Sequence, residues 1–261
     1  MVKGLKRLKD YFRHDHGSFV VIGGAACEMW MTSKSLPFRV TKDVDMVLVL
    51  EALNADFVRK FWAFINAGKY QLRQKSQERR EYYRFSRPLA EDYPEIIELF
   101  SRRLDSVALD SGQQITPIPM GEDISSLSAI LMDDDYYNLL ASTRITLDDL
   151  PVISADGLIP LKAKAWLDLK ERKARGEPMD DSDIRKHMKD VFKLAATLTG
   201  PVFTPQKSVK DDLQKFIDCF PEDSNDWHAI AASMKEARMP ELKPSDLMDA
   251  LVQHFGLTAG R

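Results

Sequence analysis

The stretch "VVIGGAACEMW", residues 20–30, is followed at residues 40–50 by "VTKDVDMVLVL". The first runs a β-branched segment into two adjacent glycines, Gly23 and Gly24, and the second places Asp43 and Asp45 one residue apart. A strand, a glycine turn and a helix bring backbone amides close to a ligand, and a helix N-terminus attracts phosphate. Because a tight turn also favours glycine for steric reasons alone, both explanations of the glycines stay open.

Asp43 and Asp45 belong to one face of the predicted strand, because side chains two residues apart on a strand point the same way while Val44 points to the other face. The run "MVLVL" is typical of a buried central strand, where two carboxylates repel each other unless a cation lies between them. Magnesium prefers oxygen ligands and is usually bound by carboxylates together with substrate phosphates. We therefore predict a magnesium site here; the alternative is an edge strand with a polar face.

A third carboxylate is expected from a neighbouring strand, and "YPEIIELFSRR", residues 93–103, supplies Glu98 among apolar neighbours. Glu95 lies three residues earlier and thus on the opposite face, so Glu98 is preferred. Asp43, Asp45 and Glu98 are the predicted ligands of a two-metal magnesium site. Glu98 is alternatively a general base for an acceptor hydroxyl.

Length and composition indicate a globular chain, since 261 residues with 44% hydrophobic content can bury a core as one large domain or two small ones. No apolar run approaches the roughly 18–20 residues of a membrane span, and the basic N-terminus lacks the apolar core of a signal peptide. We expect a cytoplasmic protein with no membrane partner. The two cysteines lie far apart, so neither a disulfide framework nor a zinc site is indicated.

The spacing of apolar residues changes along the chain. Up to about residue 120, short β-branched or aromatic clusters surround one amphipathic segment, "ADFVRKFWAFINAG", which predicts a mixed sheet with helices. From about residue 156 the spacing is helical, and residues 121–155 form a transition that the pattern does not assign. The predicted class is α+β, with a catalytic domain at residues 1–155 and a helical domain at residues 156–261.

Glycine-glycine, a helix, Asp-x-Asp on a strand and a later single acid together resemble the DNA polymerase β-like nucleotidyltransferase superfamily. Within it, "GGAA" at residues 23–26 followed by "RVTKDVD" at residues 39–45 is most similar to the AbiEii and MenT group. These are nucleotidyltransferase toxins of bacterial toxin–antitoxin and abortive-infection systems. The resemblance covers residues 18–100 and 156–198. The 18 residues between Gly24 and Asp43 are toward the long end for the pattern, which indicates an insertion at "SKSLPFR", residues 33–39.

The resemblance implies magnesium-dependent transfer of a nucleoside monophosphate from a nucleoside triphosphate to an acceptor hydroxyl, with release of pyrophosphate. Gly23, Gly24 and Lys162 would hold the triphosphate. Thr41 would either donate a hydrogen bond at the site or merely begin the strand.

The helical half supplies two further candidates by the same resemblance. Lys162 in "LIPLKAKAW" matches the group's Lys-x-x-Ala pattern and would contact the nucleotide phosphates in the cleft. Asp190 in "RKHMKDVFKL" would position the substrate or the lysine. His187 stands where the group usually has an aspartate, which leaves Asp183 as a competing candidate.

The toxin resemblance favours an RNA acceptor, chiefly the ends of tRNA, and a cognate antitoxin as a possible protein partner. Basic windows at residues 73–87 and 162–175 would contact phosphates, and Tyr82, Tyr83 and Phe85 would stack on bases. The alternative is a solvated hairpin, a solvated helix face and core aromatics. Two other functions stay open. One is a non-catalytic or antitoxin-like binding module, and the other is a transferase of small antibiotics, which would need an acidic cleft.

Overall fold

The computed structural model describes residues 2–49, 55–72, 83–100 and 133–258. These residues form seven strands and nine helices, which confirms the predicted α+β class. The chain divides into two compact units. The sheet unit consists of Met1–Met29, Val40–Leu131 and Arg144–Val152, and the helical unit of Trp30–Arg39, Met132–Thr143 and Ile153–Arg261. The expected domain boundary between residues 155 and 156 stays a prediction.

The sheet is mixed, and its strand order is β3-β4-β5-β2-β1-β7-β6. Strand β2 is central, because it pairs with β1 in the antiparallel sense and with β5 in the parallel sense. Strand β5 also pairs with β4 in the antiparallel sense, and β1 runs parallel to β7. The strands are β1 Phe19–Ile22, β2 Asp43–Leu48, β3 Gln71–Leu72, β4 Tyr83–Ser86, β5 Ile96–Phe100, β6 Arg144–Leu147 and β7 Leu150–Ile153.

An aromatic core lies beneath the strands that carry the predicted acids. Helix α1 (Leu5–Phe12) and helix α3 (Ala55–Gly68) contribute most of its rings, and α3 has the bounds of the amphipathic segment expected from the sequence. The fully buried ring of Phe12 lies 5.7 Å from the rings of Phe19 and Phe57 and 5.3 Å from that of Phe64. Burying each such ring contributes about 1.5–3 kcal/mol, which holds β1 firmly against this layer.

The helical unit contains the segments whose apolar spacing predicted helices. Its longest helix, α5 (Ala155–Ala174), contains Trp166, whose ring contacts those of Phe216 and Phe220. Asp180 caps α6 by accepting a hydrogen bond from the amide of Ser182, as expected for aspartate before a helix. The helices are α4 Asp134–Ser142, α5 Ala155–Ala174, α6 Asp181–Ala195, α7 Lys207–Ile217, α8 Asp226–Glu236 and α9 Pro244–Phe255. Helix α2, Gly23–Ser33, follows β1.

The unassigned transition contains a helix and two strands of the sheet. Residues 133–155 form α4 and the pair β6 and β7, which are joined at Asp148 and Asp149. Both aspartates have positive φ, 45° and 56°, as a two-residue hairpin turn requires. Because glycine or asparagine is the usual signal for such a turn, the Asp-Asp pair did not indicate a hairpin in the sequence. Residues 121–132 lie outside the described part of the chain.

Two expectations about the environment of the chain concern helices and cysteines. Within the described residues, no helix is both long and apolar enough to cross a membrane. Cys27 is a buried thiol and Cys219 an exposed one, and they do not form a disulfide with each other.

Candidate active site

The predicted acids of the sheet unit come together on adjacent strands. Asp45 of β2 and Glu98 of β5 lie directly opposite each other in the parallel register, and Asp43 lies opposite Ile96. Paired residues of neighbouring strands project to the same face, so all three acids share it. Val44 projects to the other face and is fully buried. The alternation predicted for this strand, with Asp43 and Asp45 on one face and Val44 on the other, is therefore confirmed.

The carboxyl groups of Asp45 and Glu98 share a hydrogen bond, and Glu98 is only 7% exposed. Burial, followed by the charge of Asp45, raises the pKa of Glu98 to about 8. The charge of Asp43 acts in the same direction, and that of Arg84 opposes it. Two neighbouring carboxyl groups that share a hydrogen bond cannot both ionise easily unless a cation joins them. The pair is thus a place for a proton or a metal cation.

Arg84 of β4 completes a row of charged side chains across three strands. It lies opposite Glu98 in the antiparallel register of β4 and β5, and its Nη1 is 2.9 Å from Oε1 of Glu98. Glu98 therefore has a carboxyl neighbour on one side and a guanidinium on the other. In the sequence, Arg84 is one member of a basic window. It was not predicted as the partner of Glu98, because strand register is not visible in composition.

The glycine pair lies against the same acids. The backbone of Gly23 has a φ of 66°, and a Cβ atom there would lie 1.7 Å from Oδ2 of Asp45. A Cβ atom at Gly24 would lie 2.8 Å from Oγ1 of Thr41. Gly23 combines a positive φ with this close contact and therefore requires glycine, whereas a side chain at Gly24 would require Thr41 to shift. Gly23, Gly24, Thr41 and Asp45 thus meet in one place, and their role as a triphosphate seat stays a prediction.

The chemistry of these donors suits magnesium, because adjacent carboxylates with surplus negative charge are hard oxygen ligands. Among the residues that the structure describes, however, no three His, Cys, Asp or Glu side chains form a ready-made metal site. Of the three predicted metal ligands, Asp45 and Glu98 lie side by side on adjacent strands. Asp43, Asp45 and Glu98 as metal ligands stay a prediction.

The helical unit brings Lys162 and Asp190 together. Asp190, on α6, has a side chain that is 1% exposed, and its Oδ2 lies 3.2 Å from Nζ of Lys162 on α5. Arg39 binds the same carboxylate with both arms of its fork, Nε to Oδ1 at 3.2 Å and Nη2 to Oδ2 at 2.9 Å. We call Arg39, Lys162 and Asp190 the Asp190 cluster. The sequence analysis did not identify Arg39 as part of it.

The cations of the cluster keep Asp190 ionised. Burial alone would raise the pKa of Asp190, but the charge of Lys162 and the hydrogen bond and charge of Arg39 outweigh burial and hold it below its ordinary value. Burial, followed by the charge of Lys162, lowers the pKa of His187 well below its usual range. Its Nδ1 is buried without a hydrogen-bond partner among the described residues. Asp183, the competing candidate, is exposed and pairs with Lys186 at 2.6 Å.

Most positive charges of the window 162–175 are neutralised within the helical unit. Five of its six cations have a carboxylate partner, and the sixth, Lys170, lies 4.8 Å from the ring centroid of Trp166. The pairs are Lys162–Asp190, Lys164–Asp212, Arg172–Glu177, Lys173–Asp181 and Arg175–Glu171.

The window at residues 73–87 is described only in part. Phe85 is fully buried, with the rings of Phe61 and Trp62 each 5.7 Å away, so it is a core residue. Tyr82 and the side chain of Tyr83 lie outside the described part of the chain.

Comparison with known proteins gives a distant structural likeness. No protein-family model and no curated protein matches the chain. The structure is similar to the crystal structure of an antigenic nucleotidyltransferase-like protein from Paracoccidioides brasiliensis, with 16% sequence identity and a TM-score of 0.42. The match covers 97% of this chain and 95% of that one. A likeness at this level carries no argument about activity, so the case for function rests on the residues described above.

Proposed function

We propose that the chain is a magnesium-dependent nucleotidyltransferase, which moves a nucleoside monophosphate from a nucleoside triphosphate to an acceptor hydroxyl. The observation that supports this most is the hydrogen-bonded pair of the half-buried Asp45 and the buried Glu98 beside the Gly23 turn. A buried carboxyl pair is costly to a fold, and a ligand cation removes that cost by replacing the shared proton.

In this proposal Asp45 and Glu98, with Asp43 beside them, hold magnesium. When bound, the metal neutralises phosphate charge and stabilises the leaving pyrophosphate. The acceptor oxygen attacks the α-phosphorus, the bond from that phosphorus to the bridging oxygen breaks, and pyrophosphate leaves. As the alternative to binding the metal, ionised Glu98 accepts the proton of the acceptor hydroxyl. Arg84, 2.9 Å from Glu98, favours that ionised form.

The triphosphate ligands in the proposal are the amides of Gly23 and Gly24, the hydroxyl of Thr41 and the ammonium group of Lys162. Asp190 touches Lys162 rather than reacting groups, so we assign it a positioning role. The 3.2 Å ion pair fixes where the long lysine side chain ends, which lowers the conformational entropy lost when phosphate binds.

We further propose that the acceptor is RNA, in particular a tRNA end, and that the protein acts in the cytoplasm as a toxin with a cognate antitoxin. This part of the proposal is supported by the resemblance of "GGAA" and "RVTKDVD" to the toxin group. The paired cations at residues 164–175 do not add to it, because surface cations already paired with carboxylates attract phosphates weakly.

The test is a transfer assay with the purified full chain. Each of the four nucleoside triphosphates, labelled at the α-phosphate, is incubated with magnesium and with total RNA, protein extract or an aminoglycoside. We expect label in the tRNA fraction, and loss of labelling with EDTA. The double variant Asp43→Ala/Asp45→Ala should not label RNA, whereas Asp148→Asn, which alters an exposed carboxylate of the same unit, should label it normally.

Three outcomes would overturn the proposal or its parts. Labelling that survives the double variant removes the catalytic role of the aspartates. Labelling of the aminoglycoside instead of RNA identifies a small-molecule transferase. No labelling of any acceptor by a chain that still binds magnesium indicates a binding module.

A further inference from the structure

The segment at residues 30–39, which contains the predicted insertion, is attached at both ends to helix α6 and to the turn that follows it. At its start, Nε1 of Trp30 donates a hydrogen bond to Oγ1 of Thr197 at 2.9 Å. At its end, the guanidinium fork of Arg39 binds the carboxylate of Asp190. A bidentate fork fixes the direction of an arginine side chain as well as its distance from the carboxylate. The chain just before Arg39 therefore has a defined position beside α6.

Phe38, the residue before Arg39, has an aromatic ring that is only half buried. In the described part of the chain this ring contacts no other aromatic ring, unlike those of Phe12 and Phe192, which each contact several. Its neighbours are cations. The guanidinium carbon of Arg39 lies 5.5 Å from the ring centroid, and Nζ of Lys193 lies 5.8 Å from it. The exposed part of the ring is therefore a flat apolar surface with positive charge beside it.

Lys193 of α6 is only 6% exposed, although its side chain is charged. Among the residues that the structure describes, no carboxylate forms an ion pair with its ammonium group. Burial lowers the pKa of Lys193, and the charges of Asp190 and Glu236 oppose this effect only in part. A buried ammonium group without a close counter-ion is costly to a folded protein. The ammonium group next to Phe38 therefore favours the binding of an anion at this place.

A flat apolar ring with an ammonium group beside it matches one nucleotide of a single strand, which combines an aromatic base with an anionic phosphate. Bases of every kind stack on aromatic side chains, and lysine binds phosphate as a point charge. An inorganic anion would leave the ring of Phe38 uncovered, and an uncharged aromatic ligand would leave Lys193 without a counter-ion. A double-stranded helix is disfavoured, because its bases already stack on one another.

We propose that Phe38 and Lys193 form a binding site for one nucleotide of single-stranded RNA. The base stacks on the exposed part of the Phe38 ring, and the ammonium group of Lys193 binds the adjacent phosphate. Trp30 and Arg39 hold the segment in place, so little conformational entropy is lost when the base stacks. The choice of RNA as the strand rests on the proposed function. The predicted insertion at residues 33–39 is thus a substrate-recognition element.

The test measures binding of a short, fluorescently labelled oligoadenylate to the full chain by anisotropy, in EDTA, without nucleoside triphosphate and at several salt concentrations. Phe38→Leu removes the stacking surface and should weaken binding about tenfold without changing its salt dependence. Lys193→Met removes one phosphate contact and should lower the slope of log K against log salt by about 0.7. Because the two effects differ in kind, general damage to the protein cannot imitate both.

Matched controls change the same residue types elsewhere in the helical unit. Phe203→Leu alters another half-buried aromatic ring and should bind oligoadenylate like the unmodified chain. Lys207→Met removes an exposed lysine of α7 that is paired with an aspartate, and it should leave the salt slope unchanged. If Phe38→Leu does not fold, Phe38→Tyr keeps the ring and should bind within about threefold of the unmodified chain. Unchanged affinity in Phe38→Leu, or an unchanged salt slope in Lys193→Met, would overturn the proposal.

An oligodeoxyadenylate of the same length distinguishes the two kinds of strand. Equal binding of RNA and DNA supports the site, because neither proposed contact involves the 2′-hydroxyl group. Tighter binding of the DNA strand would exclude RNA as the preferred occupant.

Transfer assays distinguish this inference from the proposed function. Absence of transfer to any acceptor, together with the expected oligoadenylate series, would refute the nucleotidyltransferase and leave the RNA site standing. Transfer to RNA with a flat oligoadenylate series would do the reverse.

Discussion

Glu98 in the sheet unit and Asp190 in the helical unit are both almost completely buried carboxyl groups, yet their pKa values move in opposite directions. Burial raises the pKa of each. For Glu98, burial and the charge of the neighbouring Asp45 outweigh the guanidinium of Arg84, so its pKa rises to about 8. Asp190 has a guanidinium fork and an ammonium group, so its pKa falls.

The difference shows that the sign of the neighbouring charges, rather than burial, decides what such a group attracts. Glu98, next to the carboxyl group of Asp45, attracts a proton or a metal cation. Asp190, between the cations of Lys162 and Arg39, stays ionised and binds them. Four substitutions test this contrast.

Replacing Asp45 with alanine should have the largest effect. Transfer of labelled nucleotide should fall about 1,000-fold, because losing several kcal/mol of charge stabilisation slows a reaction tenfold for every 1.4 kcal/mol or so. The rate is measured as label transferred to RNA at saturating magnesium. Asp148→Asn provides the control, since that exposed carboxylate pairs only at the surface with Lys9. A rate within tenfold of the unmodified chain would exclude Asp45 as a metal ligand.

Replacing Asp190 with alanine removes the carboxylate that binds the buried Lys162 and the half-buried Arg39. Removing one partner of a buried ion pair costs about 3–5 kcal/mol, so the free energy of unfolding should fall by that amount. Urea denaturation followed by circular dichroism measures it. The matched control, Lys186→Ala, breaks an exposed pair on the same helix and should change the free energy of unfolding by less than about 0.5 kcal/mol. Equal losses in the two variants would contradict the contrast.

Replacing Gly23 with alanine should destabilise the sheet unit by about 2–4 kcal/mol, from the positive φ and from the clash with Asp45 together. Gly176→Ala separates these causes, because Gly176 also has a positive φ, 86°, but nothing lies within 4 Å of a Cβ atom there. That control should lose only the backbone contribution of about 1 kcal/mol. Thermal unfolding of both variants measures the difference. Similar losses would mean that the Asp45 carboxylate moves aside easily.

Replacing Glu98 with glutamine should change how stability depends on pH. The pKa of Glu98 is about 8 in the folded chain against an ordinary value of 4.5. Between these two values the folded chain keeps a proton that the unfolded chain releases, so the stability of the unmodified chain falls as pH rises. Glutamine mimics the protonated acid and has no such loss. The free energy of unfolding of Glu98→Gln should therefore exceed that of the unmodified chain by a margin that grows across this pH window. The margin should reach on the order of 2 kcal/mol after screening by water and counter-ions.

Denaturation is measured in EDTA at several pH values from about 5 to about 9. Parallel stability curves for Glu98→Gln and the unmodified chain would refute the raised pKa of Glu98. Asp148→Asn again serves as the control, because its partner Lys9 is at the surface.

The periodicity of apolar residues was sufficient to predict the class of fold and most helices, including Ala55–Gly68 and Ala155–Ala174. It was also sufficient to predict that Asp45 and Glu98 share a face, because each interrupts an apolar strand. These are local signals, carried by residues a few positions apart. The hairpin of β6 and β7 was missed because its turn uses two aspartates rather than glycine or asparagine.

The partners of the acids were not predictable in the same way. Arg84 meets Glu98 only through the register of β4 and β5, and Arg39 meets Asp190 across 151 positions of sequence. In the sequence, Arg84 is a member of a basic window and Arg39 ends the predicted insertion, and neither pattern indicates which carboxylate the arginine binds. The glycines show a related limit: a need for close approach was predicted, but the group approached is the side chain of Asp45.

The contact between Gly23 and Asp45 has a consequence for evolution. A chain that acquired any side chain at position 23 would displace the carboxylate at position 45, and a chain that lost that carboxylate would no longer need glycine for this reason. The two positions should therefore vary together among relatives, with glycine retained wherever the aspartate is retained. A relative that has lost the aspartate at position 45 should also have lost the glycine at position 23.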